Sequence, residues 1–459
     1  MTDGMTFECI KAYDVRGVVP DQLNPAVAER IVWALVKLLE PKSCVIGWDV
    51  RSHGPMLVEA LTQALTQNGV DVMHLGLAGT EEVYYWAGEH NLDLGLMVTA
   101  SHNPAEYNGI KIVRHGAAPM VGETSMQVVK DLATSLARAP RPASQPGRMT
   151  VNNDKSAYIE KLLTFVDQDK LRPLKLVINS GNGVAGPVID RLVEHLPFDI
   201  FQVHNQPDSQ FPNGIPNPLL PEKRADTIRA VKEHQADLGI AFDGDFDRCF
   251  FFDADGCFIE GYYIVGLLTQ ALLPQHPGGT ICYDPRLIWN TEAIVRDLGG
   301  EPKMTPSGHT FLKAGMRDTN AVYGGEMSAH HYFRDFYFCD SGMVPWLLVA
   351  QLISTSGKSL KQLVDEMIAN FPCTGEVNFA LPNRAVQQVK IEQIHAAFMG
   401  RASQVETLDG LSMAFEEEGW RFNVRSSNTE PLLRLNIETK RDVELAAAKL
   451  NELTRIISS

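Results

Sequence analysis

The sequence predicts an α/β protein of about three domains, with four allowed, built on largely parallel sheets. The first ground is a length of 459 residues, set against roughly 150 residues per domain. The second is a regular alternation of short apolar strands with helix-like stretches, which implies parallel pairing. The third is a strand–turn–helix pattern that recurs along the chain, each time followed by a second strand that runs into a polar loop. Hydrophobic residues make up 44% and charged residues 21%, a globular balance that can bury several cores without a disulfide or metal staple.

Asn24 to Glu40 reads as a helix: Asn24 caps it, Pro25 fits its first position, Pro41 stops it, and Val27, Ile31, Leu35 and Leu38 form one apolar stripe. Three leading strands are expected at Cys44–Gly47, Leu174–Ile178 and Thr280–Tyr283. The strands that follow them run into loops: Leu94–Val98 into Thr99–Asn103, Leu238–Phe242 into Asp243–Asp247, and Ala321–Tyr323 into Gly324–Ser328. Ligands of such sheets collect beyond the carboxyl ends of strands, where all three loops fall. Arg421–Val424 and Leu432–Ile437 alternate as strands, and Val443, Ala446, Leu450, Leu453 and Ile457 step as a helix. Breaks are expected at the proline-rich stretch Arg138–Arg148, at the Asp255-Gly256 turn and between Ser356 and Gly375.

A net charge of −15 rules out a uniformly basic nucleic-acid footprint. An anionic ligand would need a local cluster of Arg and Lys to overcome that field. The seven cysteines form no CxxC pair and are odd in number, which points to reduced thiols in the cytoplasm rather than a disulfide framework or zinc site. Met1–Cys9 has no apolar signal core, and Met343–Ala350, interrupted by Pro345, is too short for a bilayer span. No membrane or nucleic-acid partner is expected.

The loops carry the chemistry. In Thr99-Ala-Ser-His-Asn-Pro104, Ser101 stands just past a strand as a candidate exposed nucleophile, outside any GxSxG elbow; His102 is its sequence neighbour, and neighbours rarely align as nucleophile and base. The bland alternative is an ST-turn. Asp243, Asp245 and Asp247 follow an apolar strand, where three carboxylates are costly unless a cation binds them, and oxygen ligands with open positions suit Mg²⁺. An EF-hand fails, because Arg248 and Ala254 stand where Gly and Glu are required. Asp253 and Asp255 belong to the hairpin turn. In the third loop Glu326, Ser328 and His330 alternate, so an extended segment would present carboxylate, hydroxyl and imidazole on one side, for sugar hydroxyls and proton transfer. Arg425-Ser-Ser-Asn-Thr-Glu-Pro431, between two strands, can cradle a phosphate. Tyr13–Gly17 adds Arg16, and Asn108–Lys111 adds a lysine. Each of these segments alone is compatible with an ordinary surface turn.

Together they resemble the α-D-phosphohexomutase family over nearly the whole chain and in its order: Tyr13–Gly17, Thr99–Pro104, Asn108–Lys111, Asp243–Arg248, Gly325–His330 and Arg425–Pro431. Ile215–Pro218, Ala241–Arg248 and Glu326–His331 are most similar to the bacterial phosphomannomutase/phosphoglucomutase branch that feeds GDP-mannose synthesis. The resemblance implies three related α/β domains with mixed, largely parallel sheets and a smaller C-terminal α+β domain around a central cleft. The expected divisions are 1–145, 152–254, 257–366 and 372–459. It implies an isomerase in which Ser101 carries a phosphoryl group, and in which Asp243, Asp245 and Asp247 hold Mg²⁺ beside a phosphoserine oxygen. Arg16, Lys111 and Arg248 would neutralise the moving phosphoryl. Glu326 and Ser328 would hold sugar hydroxyls, Arg425, Ser427, Asn428 and Thr429 the unreacting phosphate, and His309 would lie near the substrate. Tyr13 and His102 join the site on the same ground, and His330, before Lys111, is the expected proton acceptor.

The implied reaction interconverts mannose 6-phosphate and mannose 1-phosphate through a hexose 1,6-bisphosphate, which also serves as activator, with glucose phosphates accepted too, in a monomer or homodimer. Phosphoglucomutase and phosphoglucosamine mutase activities are alternatives. A Mg²⁺-dependent sugar phosphatase with Asp243 as nucleophile and a noncatalytic sugar-phosphate binder are rivals from other classes. Two positions depart from the family pattern: Phe246 stands where many members have glycine, and Arg286 stands where some have lysine.

Overall fold

The computed structural model describes residues 5–427 and 432–459. It divides into two compact units: one runs through Phe258 and includes His330–Gly357, and the other comprises Ile259–Ala329 and Lys358–Ser459.

In the first unit one sheet is ordered Val15–Val18, Tyr107–Arg114, Leu94–Val98, Ser43–Trp48, Asp71–Leu77, Met149–Val151, with Ala118–Pro119 beside Tyr107–Arg114. Leu94–Val98, Ser43–Trp48, Asp71–Leu77 and Met149–Val151 run parallel, and Tyr107–Arg114 is antiparallel to Val15–Val18, Leu94–Val98 and Ala118–Pro119. Helix Pro25–Leu39 starts where expected: Asn24 accepts a hydrogen bond from the Val27 backbone at 3.1 Å, and Glu40 closes the helix with φ +48° ahead of Pro41. Its stripe residues Ile31 and Leu35 pack with Leu57 and Leu61 of helix Gly54–Gln67 and with Ile46 and Leu96 of the sheet. Because side chains alternate along a strand, Gly47 and Gly95 face the other way, toward Val83 of helix Thr80–Glu89.

The proline-rich stretch is tied down along its length. Arg141 donates to the carbonyls of Pro41 and Asn68, and the strand after the stretch, Met149–Val151, returns to pair with Asp71–Leu77. A second sheet in this unit places Leu238–Phe242 antiparallel to Cys249–Phe252 and parallel to Lys175–Asn179, which is parallel to Asp199–Val203. The Asp255-Gly256 turn forms as read: Asp253 Oδ1 accepts from the Asp255 and Cys257 backbones, and Gly256 has φ +77°.

Helix Thr80–Glu89 is latched to the rest of the first unit by one buried carboxylate. Glu81 accepts from the Tyr158 hydroxyl, from Ser341 Oγ at 2.9 Å, and from the Gly342 and Met343 backbones at 2.5 and 3.1 Å. The last two open helix Met343–Ser356, whose N-terminus favours negative charge. Burial pushes the Glu81 pKa up to about 8 against the pull of these donors.

In the second unit Thr280–Tyr283 lies parallel to Glu301–Met304 and to Tyr323–Gly325. An antiparallel sheet, ordered Cys373–Ala380, Leu432–Thr439, Trp420–Ser426, Leu411–Phe415, Gln404–Glu406, packs with helices Arg384–Phe398 and Val443–Ser458 around Phe398, Trp420, Phe422, Leu435 and Leu453. This is the expected α/β architecture with a C-terminal α+β portion. Among the described residues no helix is long and apolar enough to cross a membrane.

Glu81→Ala should destabilise the first unit by about 3–5 kcal/mol, since several buried donors lose their acceptor at about 1–3 kcal/mol each. Urea unfolding followed by tryptophan fluorescence checks this; a loss under about 1 kcal/mol would show that the latch carries no stability.

Candidate active site

The carboxyl ends of Leu94–Val98 and Leu238–Phe242 bring two polar loops together in the first unit. Ser101 is buried, 3% exposed, not the exposed hydroxyl that its loop position suggests. Its Oγ donates to Asp243 Oδ2 at 2.6 Å and lies 3.0 Å from His102 Nδ1. Adjacent residues meet here because Ser101 takes a left-handed backbone, φ +49°, a conformation that costs a non-glycine residue of order 1–3 kcal/mol and clusters at functional sites. The serine carbonyl approaches Gly244 so closely that a Cβ there would stand 2.7 Å from it, so position 244 requires glycine.

The loop is held in that shape by Arg51, which sequence reasoning missed. Its guanidinium donates to the carbonyls of Ser101, Asn103, Pro104 and Tyr107 at 2.6–2.9 Å. Asp49 backs it at 3.3 Å and accepts from the Thr99 hydroxyl at 2.7 Å. The one available signal was position, since Asp49-Val-Arg51 lies just past strand Ser43–Trp48. Arg16 donates to the Ala100 carbonyl at 3.0 Å and to Asn103 Oδ1 at 2.5 Å, and pairs with Asp14. Tyr13 is half-buried beside that pair in the sequence.

Each aspartate of the acidic loop has one oxygen engaged in hydrogen bonds and, among the described residues, the other in none. Asp243 Oδ2 takes Ser101 Oγ and the Arg248 guanidinium at 2.8–2.9 Å. Asp245 Oδ2 takes Lys111 Nζ at 2.6 Å and the Thr80 hydroxyl at 2.5 Å. Asp247 Oδ2 takes Lys111 Nζ at 2.5 Å. Among the described residues, the buried Oδ1 atoms of all three lack a hydrogen-bond partner. The three carboxylates each offer an oxygen within 4.8 Å of the others.

Burial pulls against ionisation of Asp245, yet Lys111 holds its pKa below the usual carboxylate range. Burial and the Asp245 charge push Asp247 well above that range. Lys111, despite its burial, is held protonated by the two carboxylates. The loop is therefore short of positive charge for three ionised carboxylates, and its bare, hard oxygen atoms fit a divalent cation such as Mg²⁺.

Arg248 also reaches His102 Nδ1 at 2.6 Å. Desolvation, then the Arg248 charge, keeps the His102 pKa well below its ordinary value, although the side chain as a whole is 41% exposed. His330 forms a backbone bridge with Arg248. Its Nε2 lies 3.8 Å from Asp247 Oδ1, with Asp340 close to both.

The alternation expected for Glu326, Ser328 and His330 does not form. The segment turns instead of extending: Ala329 has φ +70°, and its N–H donates to the Glu326 carbonyl at 3.0 Å. In the second unit Glu326 and Ser328 converge on Arg286, at 3.4 and 3.3 Å, while His330 belongs to the first unit beside Asp247. Arg286 is clamped by Asp284 at 2.8–2.9 Å, and Glu326 also accepts from the Gly308 backbone, next to His309 at the start of helix His309–Thr319. Glu376 lies 3.3–3.8 Å from Arg286, Arg425 and Arg434, which gathers three guanidiniums about one carboxylate. Ser427 is buried, and its N–H donates to the Leu432 carbonyl. Asn428 and Thr429 lie outside the described residues.

Comparison with known proteins agrees with this geometry. Family models described as phosphoglucomutase/phosphomannomutase match in chain order: α/β/α domain I over residues 8–138, domain II over 156–256, domain III over 260–371 and the C-terminal domain over 376–454. The chain belongs to the α-D-phosphohexomutase family. It is therefore an enzyme of a mutase family within the isomerases. It is 51% identical, over 99% of its length and all of the relative's, to the phosphohexose mutases of Xanthomonas campestris pv. campestris. It is also 51% identical to the phosphomannomutase of Salmonella montevideo, over 98% of this chain and 99% of that one. A solved phosphoglucomutase/phosphomannomutase family protein from Burkholderia thailandensis superposes with a TM-score of 0.85 at 30% identity, covering 99% of this chain and 98% of that one.

Arg51→Lys keeps the charge but cannot reach four carbonyls at once. It should lower turnover about 10²-fold by misplacing Ser101, with the fold intact by circular dichroism. Turnover within about threefold of wild type would mean that activity does not depend on the Ser101 position that Arg51 sets.

Proposed function

We propose that this enzyme is a phosphomannomutase that interconverts mannose 6-phosphate and mannose 1-phosphate through a phosphorylated Ser101, and that it also turns over glucose phosphates. The observation that carries the reading is the Ser101 hydroxyl, buried 2.6 Å from Asp243, among Arg248, Lys111 and Arg16. The half-identical relatives named for mannose support the sugar.

In the first half-reaction the P–O bond to Ser101 breaks and a bond forms to O1 or O6 of a hexose monophosphate, giving a hexose 1,6-bisphosphate. The second half-reaction returns the other phosphoryl group to Ser101. Arg16, Lys111 and Arg248 bind the moving group and offset its charge in a site from which water is largely excluded. His330 takes the hydroxyl proton in one direction and returns it in the other. Lys111, held protonated between Asp245 and Asp247, is the weaker candidate. Asp243, Asp245 and Asp247, with a phosphoserine oxygen, would hold Mg²⁺, whose bound charge would neutralise the phosphoryl oxygens. His102 and Tyr13 line the reacting end. Glu326 and Ser328 hold O3 and O4, Arg425, Ser427, Asn428 and Thr429 the distal phosphate, and His309 lies near the sugar. A cytoplasmic setting, hexose 1,6-bisphosphate as activator, a monomer or homodimer, and the four-way domain division at 1–145, 152–254, 257–366 and 372–459 belong to the same reading.

The bisphosphate must bind in two orientations that exchange O1 and O6. A pocket can then read only what both orientations present in similar places, namely the distal phosphate and the O3 and O4 hydroxyls. The C2 hydroxyl moves between orientations, and reading it strictly would penalise one half-reaction. Strong discrimination, about 10⁴-fold or more, arises only where buried polar groups are committed to a hydroxyl. Coupled assays with mannose, glucose and glucosamine 1-phosphates, run with activating bisphosphate, should show turnover of both mannose and glucose phosphates. Chelation should stop turnover and Mg²⁺ restore it, and Glu326→Ala should weaken both sugars by similar factors. Release of inorganic phosphate without isomerisation would contradict the mutase assignment, and rejection of one sugar by several orders of magnitude would contradict the account of the pocket.

A further inference from the structure

Thr80 is the first residue of helix Thr80–Glu89 and is wholly buried, far in sequence from any loop that the reaction uses. It touches the acidic loop twice. Its hydroxyl donates to Asp245 Oδ2 at 2.5 Å, and its backbone N–H donates to the Asp245 carbonyl at 3.1 Å. Lys111 Nζ closes a ring of contacts, 3.3 Å from Thr80 Oγ1 and 2.6 Å from the same carboxylate oxygen. With Oδ2 held by two donors, the Asp245 carboxylate cannot rotate, and Oδ1 is the atom left bare.

The preceding residue holds the other side of the same loop. Phe246 has φ +45° and a fully buried ring that lies where a side chain at Gly79 would be; a Cβ there would stand 2.1 Å from the ring. The Gly79-Thr80 step thus seats the ring that follows Asp245 while gripping Asp245 itself. The step is in turn fixed by its own helix: the Gly79 N–H donates to Glu82 Oε2 at 2.8 Å, Glu82 pairs with Lys155, and Glu81 is latched to Ser341–Met343.

We propose that Thr80 is a positioning residue that aims the Asp245 carboxylate at the bound divalent cation, so that metal affinity depends on a hydroxyl which touches neither metal nor substrate. The inference rests on the reading of Asp243, Asp245 and Asp247 as metal ligands. Partners of this kind typically change metal affinity about 10–100-fold when removed.

The test is calorimetric titration of the full-length, metal-stripped protein with Mg²⁺, and with Mn²⁺ as a tighter probe, alongside thermal unfolding. Thr80→Val, nearly isosteric, should weaken binding about 10–100-fold, whereas Thr80→Ser, which keeps the hydroxyl, should stay within about threefold of wild type. Thr80→Ala, which puts no methyl against the carboxylate, should reproduce the valine loss. Wild-type affinity in Thr80→Val or Thr80→Ala, or an equal loss in Thr80→Ser, would overturn the proposal. Asp245→Asn separates it from the underlying reading. If Asp245→Asn loses the metal while Thr80→Val does not, Thr80 alone is misassigned. If Asp245→Asn binds normally, the metal reading falls, and this inference with it.

Discussion

Asp243, Asp245 and Asp247 are withdrawn from water within a single turn, and the rest of the first unit's site is arranged around that constraint. A buried carboxylate is tolerated only when its charge is met by hydrogen bonds and opposite charge. Lys111 spans two of the three and Arg248 grips the third, while Thr80 and Ser101 supply hydroxyls. Each contact goes to one oxygen of its carboxylate and leaves the other buried and, among the described residues, without a hydrogen bond. Charges and dipoles fixed in advance in a poorly solvated site stabilise a transferring phosphoryl group far better than mobile water can. The Ser101 hydroxyl therefore inherits its surroundings from the same balance that makes the acidic loop tolerable.

The serine loop shows how backbone strain is sustained. Ser101 sits in the left-handed region, and Arg51 over-determines that shape by collecting carbonyls from Ser101 to Tyr107 while Thr99 anchors the Ser101 N–H. Arg51 is itself buried against Asp49 at the end of a central strand. Helix Thr80–Glu89 plays the matching part for the acidic loop, with Glu81 tying it to the segment that carries His330. Rigid elements position the loops that carry Ser101 and the three aspartates, and those irregular loops are held by buried polar contacts rather than by regular pairing.

Features set by near neighbours were legible in the sequence. The cap at Asn24, the strands Leu94–Val98 and Leu238–Phe242 and the Asp255-Gly256 turn form as their local chemistry dictates. The two loops at those strand ends meet through Ser101 and Asp243, at the carboxyl ends where ligands of such sheets collect. What escaped depends on partners far apart in the chain: Arg51 with the serine loop, Thr80 with Asp245, Glu81 with Gly342. The same long-range packing buries Ser101, which its loop had suggested would be exposed. The alternation of Glu326, Ser328 and His330 misled because Ala329 adopts a positive φ, which turns a segment that reads as extended and sends His330 to Asp247. Phe246 stands where many members of the family have glycine; its ring finds room because Gly79, from another element, has no side chain.

The central claim is that the buried Ser101 hydroxyl, held by the acidic loop, is the group that carries phosphate. The most direct measurement is to incubate the enzyme with hexose 1,6-bisphosphate carrying ³²P, digest it and locate the label. The label should sit on the peptide containing Ser101, resist hydroxylamine as a phosphate ester does, and be chased off by unlabelled hexose monophosphate as fast as turnover. Hydroxylamine-labile label on the peptide containing Asp243, or label that no hexose phosphate removes, would contradict the account.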